Sequence, residues 1–310
     1  MASKAADAIT RLGEKGLSDL ESGSIVVLPS ISFPASELRK IVGIEHYEER
    51  MLFVLLLLER PALELTFVTS TTVDPAVVDY YLGFLADPDS ARERLHLVAL
   101  DDPEPRALSE KLLERPDAIE RIAATVPDTS NAYILPFNVT PWEGQVARRL
   151  DIPLYGPAPE RVPLVYKSGS RVLAIAAGVP VLQGTENVHS MEEALAAIED
   201  LRKWQPGARA AVIKLNEGFS GQGNAIIELS SVRYPLHESP TVFCATEESW
   251  ASFGPKIAEQ GAIVEELVRD SQMVSPSAQI RITPAGVAEL VSTHDQILGG
   301  PDDQVYLGCR

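Results

Sequence analysis

Apolar and polar positions alternate with helical stretches along the first half of the chain. Ser24–Ser30 (SIVVLPS) is a β-branched run closed by Pro and Ser, which predicts a strand. Glu45–Arg60 is charged at its ends and Leu-rich in the middle, which predicts a helix buried on most sides. Strands are predicted again at Leu63–Ser70, Leu95–Leu100 and Ala132–Phe137. Between them lie helix starts, each with a polar residue or acid beside a proline: Asp74-Pro75, Pro116-Asp117 and Thr140-Pro141. Strands alternating with helices predict a parallel sheet covered on both faces. No strand is followed by Gly-x-Gly-x-x-Gly, so the expected domain is Rossmann-like without the dinucleotide fingerprint.

Asp151–Pro163 carries prolines at 153, 157, 159 and 163 and cannot be a helix interior. It marks the domain boundary, giving domains 1–157 and 158–310. In the second half, helices are predicted at Ser168–Gly178, Ser190–Lys203 and Thr246–Gln260. Strands are predicted at Val179–Leu182, Ala210–Leu215, Asn224–Leu229, Ala262–Val268 and Gln304–Cys309, and a hairpin joins Ala278–Thr283 to Val287–His294 through Pro284-Ala285-Gly286. This half reads as α+β, so the whole chain is an α/β protein of two domains.

Composition narrows the function by exclusion. The net charge of −17 divides almost evenly between the halves, and no Lys/Arg cluster is present that would track a nucleic-acid backbone. An anionic ligand would therefore need a local cationic pocket. The most apolar run, Met51 to Leu58, is far shorter than the ~20 residues that span a bilayer. Two cysteines, Cys244 and Cys309, make no disulfide framework, and the N-terminus has no signal-peptide run. The cytoplasm is the expected compartment. The five histidines are scattered without metal-ligand spacing.

Three segments carry candidate chemistry. Lys214–Asn224 (KLNEGFSGQGN) places a lysine on a strand, then glycines at 218, 221 and 223, then a second strand. Glycines let backbone N–H groups approach a ligand closely, and a lysine supplies a point charge for phosphate. The run lacks the Gly-Lys-Ser/Thr of a Walker A loop, so a strand–loop–strand cradle is the expected geometry; an ordinary Gly-rich hairpin is the alternative. Tyr166–Arg171 puts Lys167 directly before a helix, where a solvated surface lysine is the plain reading. Val264–Val268 (VEELV) is an apolar strand with two carboxylates, suited either to a solvated edge or to the hinge beneath a nucleotide base.

These three segments, in this order, resemble the ATP-grasp superfamily. Longer blocks narrow the resemblance: Ser24–Ser30, Glu45–Arg50, Val68–Leu82, Lys111–Pro116, Tyr155-Gly156-Pro157, Lys214–Asn224, Ser275–Thr283 and Ser292–Arg310 are similar to peptide ligases related to the pheganomycin ligase, over nearly the whole chain. The resemblance implies a Rossmann-like pre-ATP-grasp domain followed by a partial ATP-grasp domain. It implies an ATP- and Mg2+-dependent carboxylate–amine ligase of natural-product type, working through an acyl phosphate on small-molecule or peptide substrates. It implies that Lys167 and Lys214 hold the α- and β-phosphates. Gly218, Phe219, Ser220, Gly221 and Gly223 would form a lid over the triphosphate. Glu265 would meet the exocyclic amine of adenine and Val268 the ring through its N–H. Arg281 and Arg310 are candidates for the γ-phosphate or the substrate carboxylate. The family's late Glu-x-Asn metal ligands do not occur before Arg310, so the metal ligands stay unknown. The expectation is a chain truncated before them and without turnover; the alternative is a non-catalytic nucleotide- or partner-binding protein. Homodimers are common among such ligases, and the state here is open.

Overall fold

The computed structural model describes residues 12, 16–17, 20–218, 221–270 and 272–310. The chain divides into two compact units, Met1–Val162 with Arg281–Glu289, and Pro163–Ile280 with Leu290–Arg310. The expected break lay after residue 157.

In the first unit, β1 (Ser22–Leu28), β2 (Ala62–Thr69), β3 (Leu95–Ala99) and β4 (Ala132–Pro136) form one sheet in the order β3-β2-β1-β4. Every pairing is parallel, with Val26 opposite both Thr66 and Ile134. Alternate residues of β1 feed opposite faces. Val26 and Leu28 join Val68, Leu112, Ile122 and Val146. Ile25 and Val27 join Phe67, Leu52, Leu55 and Leu82. Burial of both faces is why β1 reads as an unbroken apolar run rather than an alternating one.

The helices of this unit are α1 (Ala35–Leu38), α2 (Pro75–Leu82), α3 (Pro88–Glu93), α4 (Leu108–Leu113), α5 (Pro116–Ala124) and α6 (Pro141–Leu150). Their starts follow the local chemistry. Asp74 caps α2 by accepting from the N–H of Ala76 at 2.8 Å. Thr140 and Glu143 form a reciprocal capping box at α6. The helix expected over Glu45–Arg60 is present as Ile44–Glu59, but wound as a 3-10 helix. Leu52, Leu55 and Leu58, three apart, are all buried, and that spacing lines one face of a threefold helix.

In the second unit, β5 (Gly184–Val188), β6 (Ala210–Leu215), β7 (Asn224–Glu228), β8 (Thr241–Phe243) and β9 (Ala262–Glu266) form an antiparallel sheet in the order β5-β9-β6-β7-β8. Its helices are α7 (Lys167–Ala176), α8 (Met191–Trp204) and α9 (Trp250–Gln260). Ile198, Leu201, Phe253 and Ile257 from α8 and α9 cover one face, against Ala211, Ile213, Ile227 and Val264. The other face presents Ala210, Val212, Ile226, Cys244 and Leu267, with Val305 packed on them. A further sheet has the order β10 (Pro276–Ile282), β11 (Ala288–Gly299), β12 (Val305–Cys309). The expected hairpin is β10–β11. Among the described residues no helix is long and apolar enough to cross a membrane.

One expected strand is absent. Val179–Leu182 is irregular, and the strand begins at Gly184 instead. Pro180 offers no ladder N–H, and the Leu182 carbonyl accepts from Arg171 at 2.8 Å. Only glycine fits at the entry, because a Cβ on Gly184 would lie 2.5 Å from the Val264 carbonyl oxygen.

Candidate functional site

Helix α7 has no N-cap side chain of its own. Asn216, the residue after β6, supplies the missing acceptor: its Oδ1 takes the Ser168 N–H at 3.0 Å and the Ser168 hydroxyl at 2.8 Å. Its Nδ2 donates to the Gln260 carbonyl at 3.0 Å. One buried amide thus fastens the start of α7, the Gly-rich loop and the end of α9 together. Lys167, the first residue of α7, is thereby held over the loop, where its Nζ donates to the Gly218 carbonyl at 2.5 Å.

Lys214 projects from β6 and pairs with Glu265 of β9 at 2.7 Å. The other oxygen of Glu265 accepts from Arg171 at 2.7 Å, and Arg171 also meets Glu186 at 2.7 Å. The result is a chain of charges, Glu186–Arg171–Glu265–Lys214, that crosses from α7 and β5 to β9 and β6. Arg171 and Glu265 are nearly buried. Lys167 has no carboxylate at ion-pair distance among the described residues. Burial pushes its ammonium down to about 8, and the like charge of Lys214 adds to the shift. Lys167, Lys214 and Arg171 stand here against Glu186, Glu217 and Glu265, a larger share of positive charge than in the acidic chain as a whole, which suits an anion.

The glycines of the loop have structural reasons beyond ligand approach. A Cβ on Gly218 would sit 2.8 Å from the Gly223 Cα, and the converse distance is also 2.8 Å. The two ends of the loop therefore touch backbone to backbone. Gly221 has φ +78° and lies against the Gln304 carbonyl. Phe219 and Ser220 lie outside the described residues.

The structure thus brings Lys167, Lys214, Gly218, Gly223 and Glu265 to one place. Val268 follows two residues after β9, is partly exposed, and comes after Leu267, whose N–H donates to the Ala210 carbonyl at 3.0 Å. Arg281 is occupied by Glu289 across the β10–β11 hairpin, at 2.9 and 2.5 Å. Arg310 pairs through its backbone with Asp295 at 2.9 and 3.0 Å. Among the described residues no group of three His, Cys, Asp or Glu side chains gathers as a metal site, so no metal ligand is assigned. A cleft of about 360 Å³ lies beside Tyr166, Asn187, His189 and Gln260, but neither lysine nor Glu265 lines it. Arg171 and Asn216 escaped sequence reasoning. Arg171 had one usable signal, since it stands four residues after Lys167 and so on the same helix face.

No family model matches the chain. A curated L-propargylglycine–L-glutamate ligase from Streptantibioticus cattleyicolor is 29% identical over 325 residues, covering 98% of this chain. The chain spans 64% of that relative's length. Among solved structures, the ADP complex of an N5-carboxyaminoimidazole ribonucleotide synthetase superposes with a TM-score of 0.50 at 12% identity, over 92% of this chain and 56% of that one. The chain shares the fold of that synthetase. A solved D-cycloserine synthetase overlays more loosely, at a TM-score of 0.39 and 17% identity over 93% of this chain and 74% of that one. The shared fold agrees with the α/β and α+β halves expected from the sequence.

Proposed function

We propose that the Lys167–Lys214 corner binds ATP and that the chain serves an ATP-dependent carboxylate–amine ligase. The observation that carries this reading is the convergence of two ammonium groups, from α7 and β6, on a loop whose glycines bring backbone against backbone. Fixed cations of this kind stabilise the charge that spreads over a phosphoryl group in transfer. In the ligase reaction ATP would phosphorylate a carboxylate, and an amine would then displace phosphate from the acyl phosphate to leave an amide. Residues 218–223 would act as the lid. Mg2+ would arrive with the nucleotide's phosphates.

Glu265 has a second part in this reading. Its carboxylate keeps Arg171 and exchanges Lys214 for the exocyclic amine of adenine, which frees Lys214 for phosphate; Val268 would offer its N–H to the ring. Arg281 would have to leave Glu289 to reach an anion, and Arg310 is the second candidate for that role. The first unit would be the pre-ATP-grasp domain. The curated relative is named for joining two amino acids, which supports amino acids or short peptides as the carboxylate and amine here. Both cysteines are unpaired, which supports a reducing, cytoplasmic setting.

Mg-ATP titration by calorimetry tests the reading. Lys214→Ala is expected to weaken binding about tenfold, the value of one charge-assisted contact. Lys167 must be protonated to meet phosphate, so affinity should fall as pH rises through about 8, with proton uptake on binding above that pH. A flat affinity between pH 7 and 9, with Lys214→Ala equal to the parent, would remove the site from these lysines.

A further inference from the structure

The first unit holds a polar cluster that the nucleotide reading does not use. It lies at the carboxyl ends of β2 and β3, the edge at which open parallel sheets take their ligands. Glu48, from the 3-10 segment, is 7% exposed. Its two oxygens accept from Ser70, one from the backbone N–H at 2.5 Å and one from the hydroxyl at 2.6 Å. Lys111, 2% exposed, donates to the Ser70 hydroxyl at 3.0 Å and the Asp102 carbonyl at 2.7 Å, and its carboxylate neighbour is Asp102 at 3.9 Å. Among the described residues, Glu48 meets no cation at ion-pair distance.

A cavity of about 10 Å³ opens against these groups, with Ile31, Leu38, Ile44 and Leu108 as its apolar wall. That is room for one water-sized group. At its mouth Arg106 is already held by Asp102, Glu104, Glu110 and Glu114, so Glu45 and Glu104 leave the entrance acidic. A water would fill the space and leave Glu48 with Lys111 as its nearest cation, reached only through the shared Ser70 hydroxyl. A carboxylate or phosphate would bring a second anion beside Glu48. An ammonium group has the size of water and would balance a lining in which Glu45, Glu48 and Glu104 outnumber Arg106 and Lys111.

We propose that this cavity is a binding site for the primary ammonium group of a small ligand, with Glu48 as its acceptor and the ligand's carbons left outside the cavity. A bound ammonium has no lone pair with which to attack, so the site grips a handle and not the nucleophile. The ligand class deepens the ligase reading and rests on it: an amino acid serving as carboxylate donor, held by its amino end. Burial pushes Glu48 up to about 6 and Lys111 down, as expected of groups that lack full compensation. Glu45, Glu49, Asp102, Glu104, Arg106 and Lys111 are the charged groups around the site, and Glu48 alone is both buried and without an ion pair.

The test is titration of the whole chain, without nucleotide, with n-propylammonium chloride and with propan-1-ol, followed by calorimetry and by the amide resonance of Ser70. The amine is expected to bind and the alcohol not, and amine binding should fade as pH drops through about 6. Glu48→Gln keeps an acceptor for the Ser70 N–H and should weaken the amine at least about tenfold. Equal binding of amine and alcohol, an unchanged Glu48→Gln, or no binding at all would overturn the proposal. The comparison of the two ligands on the parent chain needs no variant to fold. Mg-ATP titrated in parallel reports on Lys214 and is expected to be the same in Glu48→Gln. Amine binding without Mg-ATP binding would leave the site standing and remove the ligase reading.

Discussion

Arg171→Met is expected to destabilise the second unit by about 3 kcal/mol, because it removes one partner of a buried ion pair and strands the other. Three groups lose a contact at once: Glu186 at 2.7 Å, the Leu182 carbonyl at 2.8 Å, and Glu265 at 2.7 Å, which keeps Lys214. Methionine fills much of the same volume, so the loss reads the charge rather than a hole. In a thermal melt the midpoint should fall by roughly 6–12 °C. Nucleotide binding should weaken as well. With Arg171 gone, Glu265 has Lys214 as its remaining counter-ion and holds it more firmly away from a phosphate. Combining Arg171→Met with Glu186→Gln should recover part of the stability, since Glu265 keeps Lys214 and Glu186 is then no longer a stranded charge. A single-variant loss under about 1 kcal/mol would place the pair with ordinary surface ion pairs and end its role as the anchor of Glu265.

Arg171 also marks where reading the sequence stops. Its contact with Glu265 spans 94 positions, and no local pattern announces it. What was legible had local causes. The parallel sheet could be expected from apolar runs such as Ser24–Ser30, because burial on both faces removes alternation. Asp74 and Thr140 announced α2 and α6 because a cap is made within three residues. β6 and β7 stood out on either side of the loop, and Lys214, Gly218, Gly223 and Glu265 do meet. The failures were tertiary. Val179–Leu182 has the composition of a strand, but Arg171 takes its last carbonyl and Pro180 cannot pair. Asn216 looks like a loop residue and caps a helix by accepting from Ser168, 48 positions earlier. The Leu-rich Ile44–Glu59 segment reads equally well as an α-helix or a 3-10 helix until its packing buries leucines three residues apart, at 52, 55 and 58. Glu48 gave no signal at all, since its setting is made by Ser70 and Lys111, far from it in the sequence.

Gly221→Ala should have the other large effect, and it separates two reasons for a glycine. If the residue serves only to let a ligand approach, alanine would weaken Mg-ATP and leave the empty protein intact. The structure gives a stronger constraint. A Cβ at 221 would stand 1.7 Å from the Gln304 carbonyl oxygen and 2.7 Å from its carbon, and the backbone there has φ +78°. The obstruction is main chain, so no side chain can swing aside. Left-handed backbone costs an alanine about 1–2 kcal/mol, and forcing the overlap costs about 1–3 kcal/mol more. The turn that would have to yield is itself pinned. Arg269 holds Asp302 through two bonds, at 2.8 and 2.7 Å, and Val305 packs on Val212, Ile226 and Leu267. The loop would therefore give way as well as the turn. Amide hydrogen exchange should accelerate together at 221–224 and at 302–306 in the nucleotide-free protein. Gly207→Ala, where a Cβ meets nothing within 4 Å, is the control and should change neither. Faster exchange in the loop alone would mean that the Gly221–Gln304 contact does not hold it, and that the placement of the Gly-rich loop depends on residues 214–218 and 223–224.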